Sequence, residues 1–144
     1  MRYADIVLPL AQPPYTFAVA EDAVLTEGEA VAVPFGKGRI YTGIVWRIHD
    51  RRPEARTVKT VAGSLYGAPL VDAHRRALWE WIADYYMCTL GEVMRMALPS
   101  LLKPSGRSEE EFAREAFRPR TECFAALAPG LRDASRLHEL FERL

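Results

Sequence analysis

The first 66 residues alternate short apolar segments with proline and glycine breaks, and this alternation limits the fold to one rich in β-strands. The segments are shorter than most helices and contain many of the β-branched and aromatic residues that strands favour. Gly43 interrupts the fourth segment, which indicates a bend or a close approach of two backbones. Since closure of a sheet removes its exposed edges, five such strands predict a small β-barrel. The predicted strands are residues 3–9, 15–20, 30–35, 39–48 and 58–66.

The pattern becomes helical after Asp72, which is a candidate N-cap for a first helix. The segment TLGE, from Thr89 to Glu92, has the spacing of a capping box and predicts the start of a second helix. Pro99 is expected to end that helix, because proline lacks the backbone donor and its ring clashes with the preceding turn. The predicted fold class is therefore α+β, with a mainly β N-terminal half followed by two packed helices over residues 72–98.

Aromatic residues are concentrated in the first predicted helix, and they allow two interpretations. They could form an exposed binding face, or they could pack in the core. Large aromatic side chains contribute most when they are buried, and several of these positions share a helical spacing, so the pattern favours the core. The residues predicted to be buried are Leu78, Trp79, Trp81, Ile82, Tyr85 and Tyr86.

The chain beyond residue 104 differs from what precedes it. Residues 103–107 resemble a linker, and Ser108 is a candidate N-cap ahead of three glutamates, which favour the positive end of a helix dipole. The closing segment DASRLHELFERL predicts another amphipathic helix, but the tail has too few apolar residues for a core of its own. We predict one domain over residues 1–104, then a linker and the truncated start of a second domain over residues 105–144.

The overall charge gives no indication of a nucleic-acid-binding protein. The chain has 19 basic and 19 acidic residues, so its net charge is zero and any anion-binding site must be local. No apolar stretch approaches the ~20 residues of a transmembrane helix, and the N-terminus does not read as a signal peptide. Cys88 and Cys123 form no CxxC motif, so we predict two reduced thiols in a cytoplasmic protein.

Motifs that would indicate an active site are missing from the sequence. There is no GxxxxGK[ST], GxGxxG, HExxH or nucleophile elbow. His49, His74 and His138 are scattered without the spacing of metal ligands, so we predict surface or helix-face roles for them. The sequence therefore predicts no catalytic residues, no metal site and no enzyme activity for this chain.

Local charge is the remaining signal. Residues 47–59 hold five basic residues against two acidic ones, and Lys37 and Arg39 add a basic turn around Gly36. If the fold brings the two segments together, a positive patch forms beside Tyr15 and Phe35. A ring on which a base can stack, with lysines that neutralise phosphate, would suit a strand or strand end. Solvent-exposed basic loops are the alternative interpretation.

The order of several motifs resembles one family throughout residues 3–104. The motifs are YADIVLPL, YTFAV, EGEAVAVPFGKGRIYTGIV, VKTV and WIADYYMCTLGEVMRMALP. In sequence and spacing they are similar to the N-terminal 3′ DNA-binding domain of the PriA family of replication-restart helicases, also called primosomal protein N′. The segments IHD and WEWIADYYMCTLG look most like the Bacteroidetes branch of that family. Residues after about 110 resemble the start of that branch's winged-helix domain.

This resemblance implies a domain that holds the 3′ end of the nascent leading strand at a stalled or abandoned replication fork. It implies that the Tyr15 ring stacks on the terminal base and that the Thr16 hydroxyl bonds the sugar 3′-OH. Gly36 would let the terminal nucleotide approach closely, and Lys59 would face phosphate or sugar. Supporting basic contacts are expected from Lys37, Arg39, Arg51 and Arg52.

The resemblance also implies what lies elsewhere. ATP, Mg and Zn would be bound by regions of full-length family members that this chain does not contain, so we expect no cofactor here and an N-terminal fragment or truncated product. The implied partners are forked DNA with a free 3′ end, the rest of the helicase chain, single-strand-binding protein and other primosome proteins, but no membrane.

Two alternatives to an end-binding module remain open. Family members with an acid at the position of Thr16 would provide a charge that this chain lacks, which leaves open a general single-stranded nucleic-acid-binding barrel without 3′-end selectivity. The second alternative is an interaction domain that does not bind nucleic acid, in which the aromatic helix over residues 72–88 packs on a partner.

Overall fold

The computed structural model describes residues 2–54, 57–106 and 110–112. Within these ranges the chain forms a β-rich half, then two helices, then a last short strand. The elements in chain order are β1 Arg2–Val7, β2 Tyr15–Val19, β3 Glu29–Phe35, β4 Arg39–His49, β5 Gly63–Pro69, α1 Ala73–Tyr86, α2 Leu90–Ala97, a 3₁₀ turn at Ser100–Leu102 and β6 Ser105–Gly106. The predicted α+β class, with a mainly β N-terminal half, is confirmed.

The strands form one antiparallel sheet in the order β2-β1-β4-β3-β5. β4 is the central strand, with β3 along one edge and β1 followed by β6 along the other. β2 and β5 therefore lie at opposite ends of the strand order. The first residues of β2, from Tyr15 to Phe17, line a cavity that is described below.

The predicted closed barrel is not formed, since the sheet does not close between β2 and β5. The fifth strand starts at Gly63 rather than at residue 58. Residues 58–62 contact β2 through a single parallel bridge between Ala18 and Thr60. Ala18 N–H donates to Lys59 O at 2.9 Å, but one bridge is not the ladder that closure requires.

Two apolar clusters cover the two faces of the sheet, because side chains alternate along each strand. One cluster includes Ile6, Phe17 and Val45, and the other joins Ile44 to the helices. Gly43 in β4 lies directly under β1. A Cβ on Gly43 would overlap Ile6 Cγ2, which confirms the predicted close approach.

Both predicted helix starts are confirmed by their hydrogen bonds. Asp72 Oδ1 accepts from Arg75 N–H at 2.8 Å, and Thr89 and Glu92 form a reciprocal capping box. Glu92 Oε2 accepts from Thr89 N–H at 2.9 Å, and Glu92 N–H donates back to Thr89 Oγ1 at 3.3 Å. The hydrogen bonds from Thr89 lower the pKa of Glu92 below its ordinary value. α2 ends at Ala97, two residues before Pro99.

The prediction that the aromatic residues of α1 are all buried is wrong. Trp79 is buried and stacks on Trp46 with ring centroids 6.0 Å apart. The helix is rotated so that Trp79 faces the sheet, and the described part of the chain has no element that covers the opposite face. The exposed side chains are Leu78, Trp81, Tyr85 and Tyr86, with 52%, 58%, 65% and 66% exposure.

Part of the predicted linker belongs to the sheet. β6 pairs with Ile40 and Tyr41 of β4. Thr42 Oγ1 donates to Pro104 O at 2.8 Å, which fixes the chain just before β6. Phe112 is buried in a small cluster with Ile40. The predicted cap at Ser108 and the winged-helix segment lie outside the described residues. None of the described helices is long and apolar enough to cross a membrane.

Candidate nucleic-acid interface

A cavity of about 310 Å³ lies where the start of β2 meets the β3–β4 turn. It brings together the four residues that the family resemblance implied, although they are far apart in the sequence. Tyr15 and Thr16 come from β2, Gly36 from the turn, and Lys59 from the segment that bridges to β2. The remaining lining residues are Phe17, Pro34, Phe35, Thr57 and Val58.

The β3–β4 turn needs its glycines. Gly36 and Gly38 have φ values of 64° and 82°, in the left-handed region that other residues rarely adopt. A Cβ on either glycine would meet no atom within 4 Å apart from those of the glycine itself and its two chain neighbours. The space in front of Gly36 is therefore open, and a ligand can approach the backbone there.

Lys59 extends from a segment bonded to β2 towards the β3–β4 turn. Its Nζ donates to Gly36 O at 2.9 Å, although the side chain is exposed. The hydrogen bond between Ala18 N–H and Lys59 O fixes the backbone on which this lysine is carried. The cavity thus contains a positive charge that is already oriented towards the turn.

Aromatic rings form one wall of the cavity. The rings of Tyr15 and Phe35 meet edge to face with centroids 4.8 Å apart, and Phe35 meets Tyr41 at 6.1 Å. Both Tyr15 and Phe35 pack partly against the core cluster, so their orientation is set by the fold. A half-buried, oriented ring of this kind is a suitable platform for a base.

The main chain of Thr16 faces the open edge of β2. Ala18 directs both its N–H and its C=O outward, to Lys59 and Val61. Residues two apart in a strand direct these groups to the same edge, so the N–H and C=O of Thr16 point outward beside the cavity. They offer one donor and one acceptor to a ligand.

The side chain of Thr16 is engaged on the neighbouring strand. Thr16 lies opposite Asp5 in the β1–β2 ladder, and its hydroxyl donates to Asp5 Oδ1 at 2.7 Å. His49 Nε2 lies 3.2 Å from the same oxygen. Sequence reasoning missed Asp5 and assigned His49 only a surface role, because no pattern in the sequence indicates the register of β1 against its two neighbours.

Of the supporting basic residues, the structure places two near the cavity. Arg51 and Arg52 line a second cavity of about 450 Å³ together with Asp5, Thr16 and His49, and Thr16 is common to both cavities. Lys37 is exposed on the turn, and Arg39 lines a different cavity beside Tyr41 and β6. Neither of these two residues lines the two cavities that meet at Thr16.

A further surface lies on the two helices, where the sequence pattern favoured burial and an exposed binding face was the alternative. An apolar groove of about 610 Å³ lies between α1 and α2. Trp81 stacks on Tyr85 at 5.1 Å beside it. In the ranges that the structure describes, no three His, Cys, Asp or Glu side chains are grouped as metal ligands would be.

Proteins that bind single-stranded nucleic acid combine aromatic rings with positive charge, and the open glycine turn leaves space for a strand beside them. The model of the PriA 3′ DNA-binding domain family matches residues 5–99, and the chain belongs to this family. The predicted resemblance is thus confirmed, whereas the Bacteroidetes assignment stays a prediction.

The relatives that the chain matches include three proteins named replication restart protein PriA. The protein from Rickettsia conorii is 34% identical over 100 residues, that from Rickettsia felis is 36% identical over 100 residues, and that from Synechocystis is 37% identical over 106 residues. Each alignment covers 69% of this chain. It covers 15% of each Rickettsia protein and 12% of the Synechocystis protein, so the chain matches only a small part of these relatives.

Proposed function

We propose that this chain is the DNA-binding module of a replication-restart protein and that it holds the 3′ end of a nascent leading strand at a stalled or abandoned fork. The observation that carries the proposal is that Tyr15, Gly36 and Lys59 line one cavity. Membership of the 3′ DNA-binding domain family also supports it.

Each group in the cavity has a task in this proposal. The Tyr15 ring stacks on the terminal base, which contributes about 1–3 kcal/mol. Lys59 faces a phosphate, and the main chain at Gly36 admits the terminal nucleotide because no Cβ blocks it. The outward N–H and C=O of Thr16 bond the sugar or base edge. The proposal assigns binding to this chain and no catalytic step.

The second candidate is a general single-strand binder without end preference. The uncharged Thr16 beside an open strand edge favours it, since a strand could continue past the cavity along that edge. Stacking and phosphate neutralisation would be the same in both cases, so only the requirement for an end distinguishes them.

The test is fluorescence anisotropy of the full chain with two fork DNAs that differ only at the leading-strand end, which carries a 3′-OH or a 3′-phosphate. The proposal predicts tighter binding of the 3′-OH fork. It also predicts that Gly36→Val weakens binding, because the side chain fills the open space in front of the turn. Gly38→Val is the matched control, since Gly38 has the same left-handed backbone and does not line the cavity.

A circular single strand, which has no ends, is the competitor that separates the candidates. Weak competition supports end capture, and competition equal to that of a linear strand supports the second candidate. No salt-dependent binding of any DNA would overturn both. The rest of a helicase chain, single-strand-binding protein and primosome proteins as partners, and a cytoplasmic location, stay predictions.

A further inference from the structure

The hydroxyl hydrogen of Thr16 already takes part in a hydrogen bond within the protein. Thr16 Oγ1 lies 2.7 Å from Asp5 Oδ1. An ionised carboxylate only accepts hydrogen bonds, so the hydroxyl must be the donor. A threonine hydroxyl has one hydrogen, and what remains on its oxygen is lone-pair capacity for a further hydrogen bond.

Thr16 therefore presents an acceptor, and not a donor, where the two cavities meet. A sugar 3′-hydroxyl can donate to that acceptor. A 3′-phosphate has mostly lost its protons at neutral pH and offers mainly acceptor oxygens. The phosphate oxygens and the Thr16 hydroxyl oxygen would then both be acceptors, so no hydrogen bond would form between them. The carboxylate behind Thr16 adds a like charge against the phosphate.

We propose that Asp5 is a positioning residue that makes the site select a 3′-hydroxyl over a 3′-phosphate, by holding the Thr16 hydroxyl as a hydrogen-bond acceptor. This inference rests on the proposed function, because it assumes that a strand end occupies the cavity beside Thr16. It assigns the selectivity to a residue on β1 that does not line the cavity of Tyr15 and Gly36.

Asp5 is well held for this role. It is opposite Thr16 in the ladder, and His49 on the other neighbouring strand contacts the same carboxylate oxygen at 3.2 Å. Its side chain is only 30% exposed, which restricts the carboxylate to this arrangement. A pair of this kind, on directly opposed strand positions, has the closest side-chain approach that a sheet allows.

Net charge alone does not provide the same selection. Arg51 and Arg52 line the cavity that contains Asp5, and both would attract a terminal phosphate. The direction of the hydrogen bond at Thr16 discriminates between a 3′-OH and a 3′-phosphate, whereas the summed charge of the cavity does not. Removal of an arginine should therefore weaken the 3′-phosphate fork at least as much as the 3′-OH fork and leave the preference for the 3′-OH fork in place.

The experiment measures the ratio of the dissociation constants for the 3′-phosphate and 3′-OH forks, with the full chain. Wild type should prefer 3′-OH by roughly tenfold, about the effect of one hydrogen bond. Asp5→Ala frees the Thr16 hydroxyl to donate, and Thr16→Val removes the acceptor, so either change should bring the ratio to about one. Asp22→Ala removes an exposed acid elsewhere and should leave the ratio unchanged.

A double-mutant cycle separates positioning from a general structural effect. Asp5→Ala together with Thr16→Val should lose no more selectivity than either change alone, because the two act through one contact. A structural loss would instead weaken both forks equally and leave the ratio intact. Circular dichroism checks that each variant is folded.

The outcomes distinguish this inference from the proposed function. If wild type binds no DNA, the proposed function fails and this inference fails with it. If wild type prefers linear to circular strands but binds the two ends equally, the capture of strand ends stands, whereas the 3′-OH preference predicted above and this inference are both overturned. If wild type selects 3′-OH and Asp5→Ala keeps that ratio, the inference alone is overturned.

Discussion

Lys59 provides the most direct test of how the cavity meets phosphate. Lys59 and Lys37 are both exposed lysines near the same turn, but only Lys59 lines the cavity and donates to Gly36 O. Replacing either by alanine removes one positive charge from the chain. The two variants therefore have the same net charge and differ in where the charge was lost.

The size of the effect follows from a single phosphate contact. One contact on a single strand contributes about 0.7 to the slope of log affinity against log salt concentration. Lys59→Ala should reduce the slope by that amount. Because the lysine is exposed, we expect a loss of about 1 kcal/mol at low salt, or roughly fivefold in affinity.

The assay is anisotropy of a labelled 3′-OH fork at several salt concentrations for wild type, Lys59→Ala and Lys37→Ala. Lys37→Ala should keep the wild-type slope. An equal reduction in both variants would mean that the charges act diffusely, and it would refute the placement of phosphate beside Lys59. An unchanged slope in Lys59→Ala would refute the contact itself.

Two further predictions concern stability. Trp79→Ala should lower the free energy of unfolding by about 3–5 kcal/mol, because Trp79 is buried against Trp46. Trp81→Ala should lower it by less than about 1 kcal/mol, because Trp81 is exposed. Urea unfolding measures both changes. Glu92 has a lowered pKa, so its ionised form stabilises the fold above the ordinary glutamate range, and this contribution is lost as the pH falls through the lowered value. Glu92→Gln should therefore lose less stability than wild type on acidification, as followed by thermal unfolding.

Each stability prediction has a result that contradicts it. A large cost for Trp81→Ala would mean that the exposed face of α1 is covered in solution. A wild-type and a Glu92→Gln protein that lose stability in parallel on acidification would show that the capping box does not contribute to the pH dependence.

Features that depend on neighbours within one helical turn could be predicted from the sequence. Asp72 and the segment from Thr89 to Glu92 were identified as caps because a cap involves residues three positions apart. The close approach at Gly43 was also predictable, since glycine inside a strand indicates that another group is near.

Features that depend on tertiary packing could not be predicted in the same way. Trp79 and Trp81 lie in one helical pattern, and the choice between them is made by Trp46, which is distant in the sequence. A period-two pattern also cannot distinguish a paired strand from an extended segment. Residues 58–62 are of the second kind, and for that reason the expected barrel is an open sheet.

The residues of the candidate site also differ in how far the sequence could predict them. The resemblance implied Tyr15, Gly36 and Lys59, and the structure brings them to one cavity. Asp5 was missed, because its part depends on the register of β1 against β2 and on no local motif. The amount of space in front of Gly36 is likewise a property of the folded turn.

The distribution of the tryptophans has a spectroscopic consequence. Trp46 and Trp79 are buried and stacked, whereas the third tryptophan, Trp81, is exposed in the groove between α1 and α2. Acrylamide will therefore quench the emission of Trp81 in preference to the other two. The cavity lined by Tyr15, Gly36 and Lys59 has no tryptophan in its lining. Intrinsic fluorescence can thus report on whether the groove is occupied, without a label and independently of DNA.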